Sequence, residues 1–364
     1  MMRRTWTTAG THISAVTTAG TRAAACRAGQ RRGVLPRIVG ATGIAVMGLA
    51  LVASGAAAQA NARPATGSAT PNRGGPEWAS TQQVLGGKGA MQPGDVLKFS
   101  FPRTDLHVTA DGIAIKPGFA LGSWIAFKRV GAGTSAMAMG DLVLTEDEVE
   151  PVMLALQQGG IEQTALHNHV LHESPRILYM HIAGHGDPAK IAQTVRTALG
   201  ASKTPLAAAA ATPGDAGDAG GAGTPAPPPA ALDLDTAGIA RTLGVAGKVN
   251  GGIYQVSAPR AERIMENGME IPASMGVATA INFEPTGGGK AAITGDFVMT
   301  GAEVNPVIRA LREHGIQVTA LHNHMLTESP RLFFLHFWAN DDAVTLARGL
   351  RAALDQTSAR RPRA

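Results

Sequence analysis

LHNHVLHESPRILYMHIAG, from Leu166 to Gly184, returns as LHNHMLTESPRLFFLHFWA, from Leu321 to Ala339. Each copy holds His-x-His, a Glu, Ser-Pro-Arg and a further His. The residues are His167, His169, Glu173 and His181, matched by His322, His324, Glu328 and His336. Side chains alternate along a strand, so His167 and His169 share one face and Asn168 takes the other. Pro175 cannot continue a central ladder, which predicts a turn over Glu173–Pro175. Arg176–Ala183 is apolar on both faces and reads as a central strand returning antiparallel. His181 then has the parity of Ile177 and Tyr179, and all three face the same way.

Outward from this stretch the duplication widens. Asp141–Leu199 aligns with Asp296–Leu354 without a gap, and nearly half of the positions are identical. Further upstream, Ser100-Phe-Pro-Arg103 parallels Ser257-Ala-Pro-Arg260. The two blocks, 77–200 and 232–356, are too long for solenoid units; they read as tandem copies of one domain or a pseudo-twofold unit. Alternation predicts strands over Asp95–Pro102, Ile113–Ile115, Gly122–Phe127, Ser135–Leu144 and Gln163–His169. Thr145 and Glu148 form a capping box for a helix over Glu146–Gln158, with Val149, Val152, Met153 and Leu156 on one face. A second helix covers Pro188–Leu199. The expected class is α+β: two homologous repeats, each a mostly antiparallel sheet with two helices on one side.

The net charge of +5 belongs to the leader. Residues 1–60 hold seven Arg and no acid, and without them 25 Lys and Arg face 27 Asp and Glu. The body therefore lacks the basic footprint of a nucleic-acid binder. The one Cys, Cys26, lies in that leader, so the body has no disulfide and no thiolate ligand. Ile38–Ala53 is an apolar run of signal-peptide length, too short and Gly-rich for a membrane span. It follows Arg31-Arg32, similar to a twin-arginine signal, and leads to Ala58-Gln-Ala60, which predicts cleavage before Asn61. The expected location is periplasmic or extracellular, with no membrane span in the mature chain. Residues 61–76 read as a disordered spacer, 201–231 as an Ala/Pro/Gly tether and 357–364 as a tail.

Three imidazoles and a carboxylate per repeat, with no thiolate, suit a divalent transition metal such as zinc, iron or manganese. Glu173 and Glu328 are candidate fourth ligands or general bases beside a metal-bound water. The plainer reading is that buried His residues bond backbone carbonyls and that Arg176 pairs with Glu173. His107, His172, His185 and His314 have no counterpart in the other copy and read as surface or turn residues. Met137, Met139, Met153 and Met180 read as packing. The glycine runs at 131–133 and 287–289 lack the Lys-Ser/Thr of a phosphate loop and read as hairpin turns.

The text GDLVLTEDEVEPVMLALQQGGIEQTALHNHVLHESPRILYMHIAGHGDP resembles the domain of unknown function 1259 family, which includes the mycobacterial lipoproteins LppY and LpqO. The resemblance covers both blocks, and LHNHxLxESPR is its specific core. It implies an exported bacterial protein with a duplicated domain and brings no established activity. Those lipoproteins carry a Cys after the apolar run; this chain has none there. The spacing His167, His169, Glu173 is also similar to the first cupin motif, but the preceding helix and the early third His make that convergent ligand spacing. The sequence thus leaves open a metal site in each repeat, a cell-envelope module binding a small molecule without metal, and a purely structural pair. It leaves oligomeric state and enzymatic activity open too.

Overall fold

The computed structural model describes residues 74–87, 89–131, 133–206 and 232–360. The leader, the spacer through residue 73, residues 207–231 of the tether and residues 361–364 lie outside the described residues. In the first repeat the elements run α1 (Ala79–Leu85), β1 (Ala90–Gln92), β2 (Val96–Pro102), β3 (Val108–Ala110), β4 (Ile113–Ile115), α2 (Pro117–Ala120), β5 (Gly122–Arg129) and β6 (Ala136–Thr145). Then come α3 (Glu146–Gln158), β7 (Glu162–His167), β8 (Glu173–Ser174), β9 (Ile177–Gly186) and α4 (Pro188–Gly200). The second repeat runs α5 (Thr236–Leu243), β10 (Lys248–Asn250), β11 (Ile253–Pro259), β12 (Ile264–Glu266), β13 (Met269–Ile271), β14 (Ala278–Gly287) and β15 (Lys290–Thr300). It closes with α6 (Gly301–Glu313), β16 (Gln317–His322), β17 (Leu332–Asp342) and α7 (Ala343–Leu354).

Each repeat builds one six-stranded sheet, in the order β1-β2-β5-β6-β9-β7 and β10-β11-β14-β15-β17-β16. The neighbouring strands of both sheets run antiparallel. The class is α+β with two similar halves. β9 lies between β6 and β7, the central place that its two apolar faces require.

Strand parity sorts the side chains into two layers. Leu97, Phe99, Leu142, Leu144, Met180 and Ile182 pack with Val152, Leu156, Val195 and Leu199 of the helices. The second repeat matches them with Ile293, Phe297, Leu335 and Phe337 under α5, α6 and α7. A short third helix, α1 or α5, joins the expected two because Leu85 and Leu243 insert fully into these cores. Residues of the opposite parity pack across the repeats. Met137 and Met139 join Val298, Leu332 and Phe334 in one mixed cluster. Val143, Ile177 and Tyr179 join Ile253, Ala292 and Trp338 in another. The two sheets thus face each other within one compact unit, and the pseudo-twofold reading holds over that of independent domains.

The capping boxes form as expected at Thr145/Glu148 and Thr300/Glu303. Each Glu also receives a buried arginine. Arg103 Nη1 donates to Val143 O and Glu148 Oε2, both at 2.7 Å, and Nη2 meets Asp105 Oδ2 at 2.8 Å. Arg260 does the same with Val298 O, Glu303 and Glu262. Burial pushes Glu148 up, but the hydrogen bonds from Arg103, the backbone N–H groups of Thr145 and Lys203 and the Arg103 charge together outweigh it and hold the carboxyl below its ordinary range. The second oxygen of each Glu accepts a backbone N–H from beyond the repeat, Lys203 at 2.7 Å and Ser358 at 2.8 Å. Residues 201–206 and 357–360 are therefore held against the repeats, although their composition reads as tether and tail.

Candidate metal centre

The equivalent edge strands β7 and β16, with the two residues after each, carry the sequence TALHNH to the junction of the repeats. Thr164 and Thr319 each fall where the ladder to β9 or β17 slips by a residue. The slip frees their side chains to cross the junction. Thr164 Oγ1 donates to His324 O, and Thr319 Oγ1 donates to His169 O, both at 2.6 Å. Asn323 Nδ2 donates to Thr164 O at 2.8 Å, and Asn168 Nδ2 to Thr319 O at 3.2 Å. β7 and β16 end at His167 and His322, short of the expected strand end at His169, so the Asn of each His-Asn-His lies just beyond the strand and binds the other repeat.

This locking gathers all six repeated histidines into one cluster. His167 and His322 stack with ring centroids 3.7 Å apart. The third His of each repeat meets the other repeat: His181 lies 3.8 Å from His324, and His336 lies 3.9 Å from His169, centroid to centroid. Tyr179 and Phe334 form equivalent platforms under His169 and His324, at 3.2 and 3.5 Å. Two carboxylates join them from the β6 and β15 strands. Asp141 pairs across the ladder with His181, and Asp296 with His336. Asp296 Oδ2 lies 3.0 Å from His324 Nε2, and Asp141 Oδ2 lies 3.6 Å from His169 Nε2.

Backbone carbonyls set the imidazole tautomers. A carbonyl only accepts, so a ring nitrogen against one must carry its proton. His167 Nδ1 donates to Asn168 O at 3.0 Å, His324 Nδ1 to Gly276 O at 3.0 Å and His336 Nδ1 to Gly295 O at 2.7 Å. In His167 and His336 that leaves Nε2 with a free lone pair turned inward, the arrangement of a ligating histidine steadied from behind; His324 Nε2 instead meets Asp296 Oδ2. The Nε2 atoms of His167, His169, His181 and His336 are buried with no hydrogen-bond partner, as are Asp141 Oδ1 and Asp296 Oδ1. Gly140 and Gly295, just before the two Asp, sit where a Cβ would strike the Trp124 O or Ala280 O carbonyl at 2.7 or 2.0 Å. Only glycine lets the strands close this tightly behind the cluster.

Three groups hold ligand atoms all within 4.8 Å of one another: His167/His322/His336, His181/His322/His324 and Asp141/His167/His181. Any two of them share a histidine, and two of the three mix the repeats. His322 Nε2 and His324 Nε2 stand 3.2 Å apart, close to the ~3.3 Å between two nitrogens bound tetrahedrally at ~2.0–2.1 Å. One side of the cluster opens on a cavity of about 730 Å³ whose floor includes Asp141, Asp296, His169, His181, His324 and His336. A ligand or water entering there would reach these imidazoles and carboxylates.

Burial, reinforced by His336, lowers His167 to about 3. Burial and neighbouring imidazoles hold His169, His181, His322 and His336 below the ordinary range as well. Burial pushes Asp141 up to about 7, against the pull of His324 and with the push of Asp296. Asp296 goes the other way, because His336 and His324 outweigh its burial. The histidines fix the sign of the metal-free chain's pH response. Below 6.5 the unfolded chain takes up protons that these folded imidazoles refuse, so stability falls with pH from 6.5 toward 3. Each such group costs about 1.4 kcal/mol per pH unit over its own window. Asp141, raised in the fold, favours the folded state at low pH but is outnumbered. Melting curves of chelator-treated protein from pH 8 to 4 should show a steady loss beginning near 6.5; a flat profile would contradict the buried, neutral cluster.

Glu173 and Glu328 are placed differently from the expected ligand sets. Glu173 Oε1 accepts from Ile177 N at 3.0 Å, and Glu328 Oε1 from Leu332 N at 2.8 Å. They tie the Glu-Ser-Pro-Arg turn to the strand that follows, and neither belongs to the three ligand groups. Burial raises Glu173 to about 7. Arg331 pairs with Glu328 at 3.1 Å, whereas Arg176 reaches the exposed Glu146 instead of Glu173. His107, His172, His185 and His314 are exposed. Asp141 and Asp296 were not singled out by sequence reasoning, although both occupy the same place in GDLVLT and GDFVMT.

A family model described as Domain of Unknown Function (DUF1259) matches residues 79–201 and again 237–356. The chain belongs to the DUF1259 family. Each DUF1259 copy contributes three histidines and one aspartate to the shared cluster. No curated protein matches the chain. Among solved structures, the trimeric bacterial microcompartment shell protein PduB matches at 16% identity, over 73% of this chain and 90% of that one, with a TM-score of 0.18. EtuB from Clostridium kluyveri matches at 10% identity, over 72% and 89%, with a TM-score of 0.16. Scores this low carry no argument about the DUF1259 fold or its role.

Proposed function

We propose that this chain binds one divalent transition metal ion, zinc, iron or manganese, at the composite His/Asp centre, where a small molecule reaches it from the cavity. The convergence of six histidines from both repeats, with four Nε2 atoms buried and unpartnered, carries this reading. A buried polar atom without a partner costs about 1–3 kcal/mol, and six such atoms in one place are hard to sustain unless something binds there. Neutral imidazoles with carboxylates select borderline metals. One ion is the expected stoichiometry because filling any ligand group takes a histidine from each of the others.

The leader and the likeness to exported lipoproteins support a periplasmic or extracellular site. Untagged chain recovered from the native host should begin at Asn61 by mass spectrometry and carry close to one ion by elemental analysis. Two ions per chain would restore the site-per-repeat arrangement. No metal, in a folded chain, would leave the metal-free ligand-binding module as the better account. An intact leader on the recovered chain would overturn export by cleavage.

A further inference from the structure

The centre repeats closely between the two halves, but the cavity walls above it do not. Ladder partners identify the equivalent positions: Lys98 pairs with Ala126 and Ser100 with Trp124, as Gln255 pairs with Asn282 and Ser257 with Ala280. Met139 likewise corresponds to Thr294. The first repeat's wall therefore carries Lys98 and Trp124 where the second carries Gln255 and Ala280; Thr294 lines the cavity, whereas its counterpart Met139 is buried in the core. Lys98, Trp124, Gln255, Ala280 and Thr294 all line the same cavity.

Lys98 Nζ stands 4.0 Å from the centroid of the Trp124 ring. No salt bridge closes on Lys98 among the described residues. Across the cavity, Gln255 Nε2 is engaged by Gly118 O at 3.3 Å and Asn282 Nδ2 by Phe119 O at 3.2 Å. Thr294 is 3% exposed, and its Oγ1 has no partner. We infer that the cavity takes a small organic monocarboxylate in one orientation, its carboxylate on Lys98 and its apolar body along Trp124, above the His/Asp centre.

Charge and size narrow the class. Lys98 is the half-buried ammonium of the cavity; Lys248, also in the lining, is exposed on β10 beside Gln255. Lys98 balances one negative charge, and Asp141 and Asp296 on the floor oppose a second there. A phosphate dianion would call for more donors, typically an Arg cluster or a helix N-terminus. A cavity of about 730 Å³ falls in the range of organic-ligand pockets, about 300–1,000 Å³. Burial lowers Lys98 to about 8, with Asp141 opposing, so the ammonium is mostly charged at pH 7. The inference deepens the metal reading by naming a ligand class. Because Lys98 is in none of the ligand groups, the two fail separately.

The test is calorimetric titration of the full chain at pH 7 with benzoate, benzamide and inorganic phosphate, alongside Lys98→Met and Lys98→Arg, with metal content measured on each sample. Benzoate should bind at least tenfold tighter than benzamide or phosphate. Lys98→Met should lose at least tenfold for benzoate and keep its metal, and Lys98→Arg should recover most of the binding. Equal binding of benzoate and benzamide, unchanged benzoate affinity in Lys98→Met, or preference for phosphate would each overturn the proposal. Benzoate binding through Lys98 in a chain without metal would uphold it while refuting the metal reading.

Discussion

The double variant His167→Ala/His181→Ala should lose more than nine-tenths of the bound metal, although His322, His324 and His336 of the second repeat are untouched. Independent sites would leave that repeat's ion in place and cut the content only by half. The expectation of near-complete loss follows from the geometry: each of the three ligand groups contains His167 or His181. Metal content would be read by elemental analysis and affinity by chelator competition, with circular dichroism confirming the fold. Both rings are packed against others, so the Ala pair leaves voids; His167→Gln/His181→Gln preserves more volume and should lose metal as well. Retention of half the metal by a folded double variant would refute the composite centre.

Replacing Arg103 with Met should destabilise the fold by about 3–5 kcal/mol, the usual cost of leaving a buried ion-pair partner behind. The guanidinium is 0% exposed and serves Asp105, Glu148 and the carbonyl of Val143 at once. Without it, two carboxylates face each other and a buried carbonyl loses its donor. Glu148 also holds the start of α3 and the N–H of Lys203, so the damage would reach the segment after α4. For a unit of this size the melting temperature should fall by roughly 10 °C, at ~2–4 °C per kcal/mol. Arg176→Met, which removes a pair exposed by about two-thirds on both sides, should change stability by less than ~0.5 kcal/mol. If Arg103→Met melts within a degree of the parent, the buried network is not the clamp described.

Much of this architecture is legible in the residues. The duplication, the Thr145/Glu148 box, the antiparallel returns and the inward parity of His181 follow from spacing alone. The pairing between repeats does not. Parity says that Met137, Asp141 and His181 share a face, but not that a second sheet covers it. Asp141 was hidden because it interrupts an apolar strand by one residue, and a strand pattern tolerates that at a solvated face. Its identity in both copies was the available signal. Glu173 and Glu328 drew attention by ligand-like spacing, yet a carboxylate in a turn can equally accept a backbone N–H four residues on. Only coordinates separate the two.

The unlike walls above a like centre have a historical consequence. A homodimer of one repeat would carry every substitution on both sides of its axis, so Lys98 would face a second Lys98 across the cavity. Fusing the two copies into one gene frees each side to change alone while the axial histidines stay matched. The cavity then presents different groups on its two sides, which two identical copies about an axis cannot do.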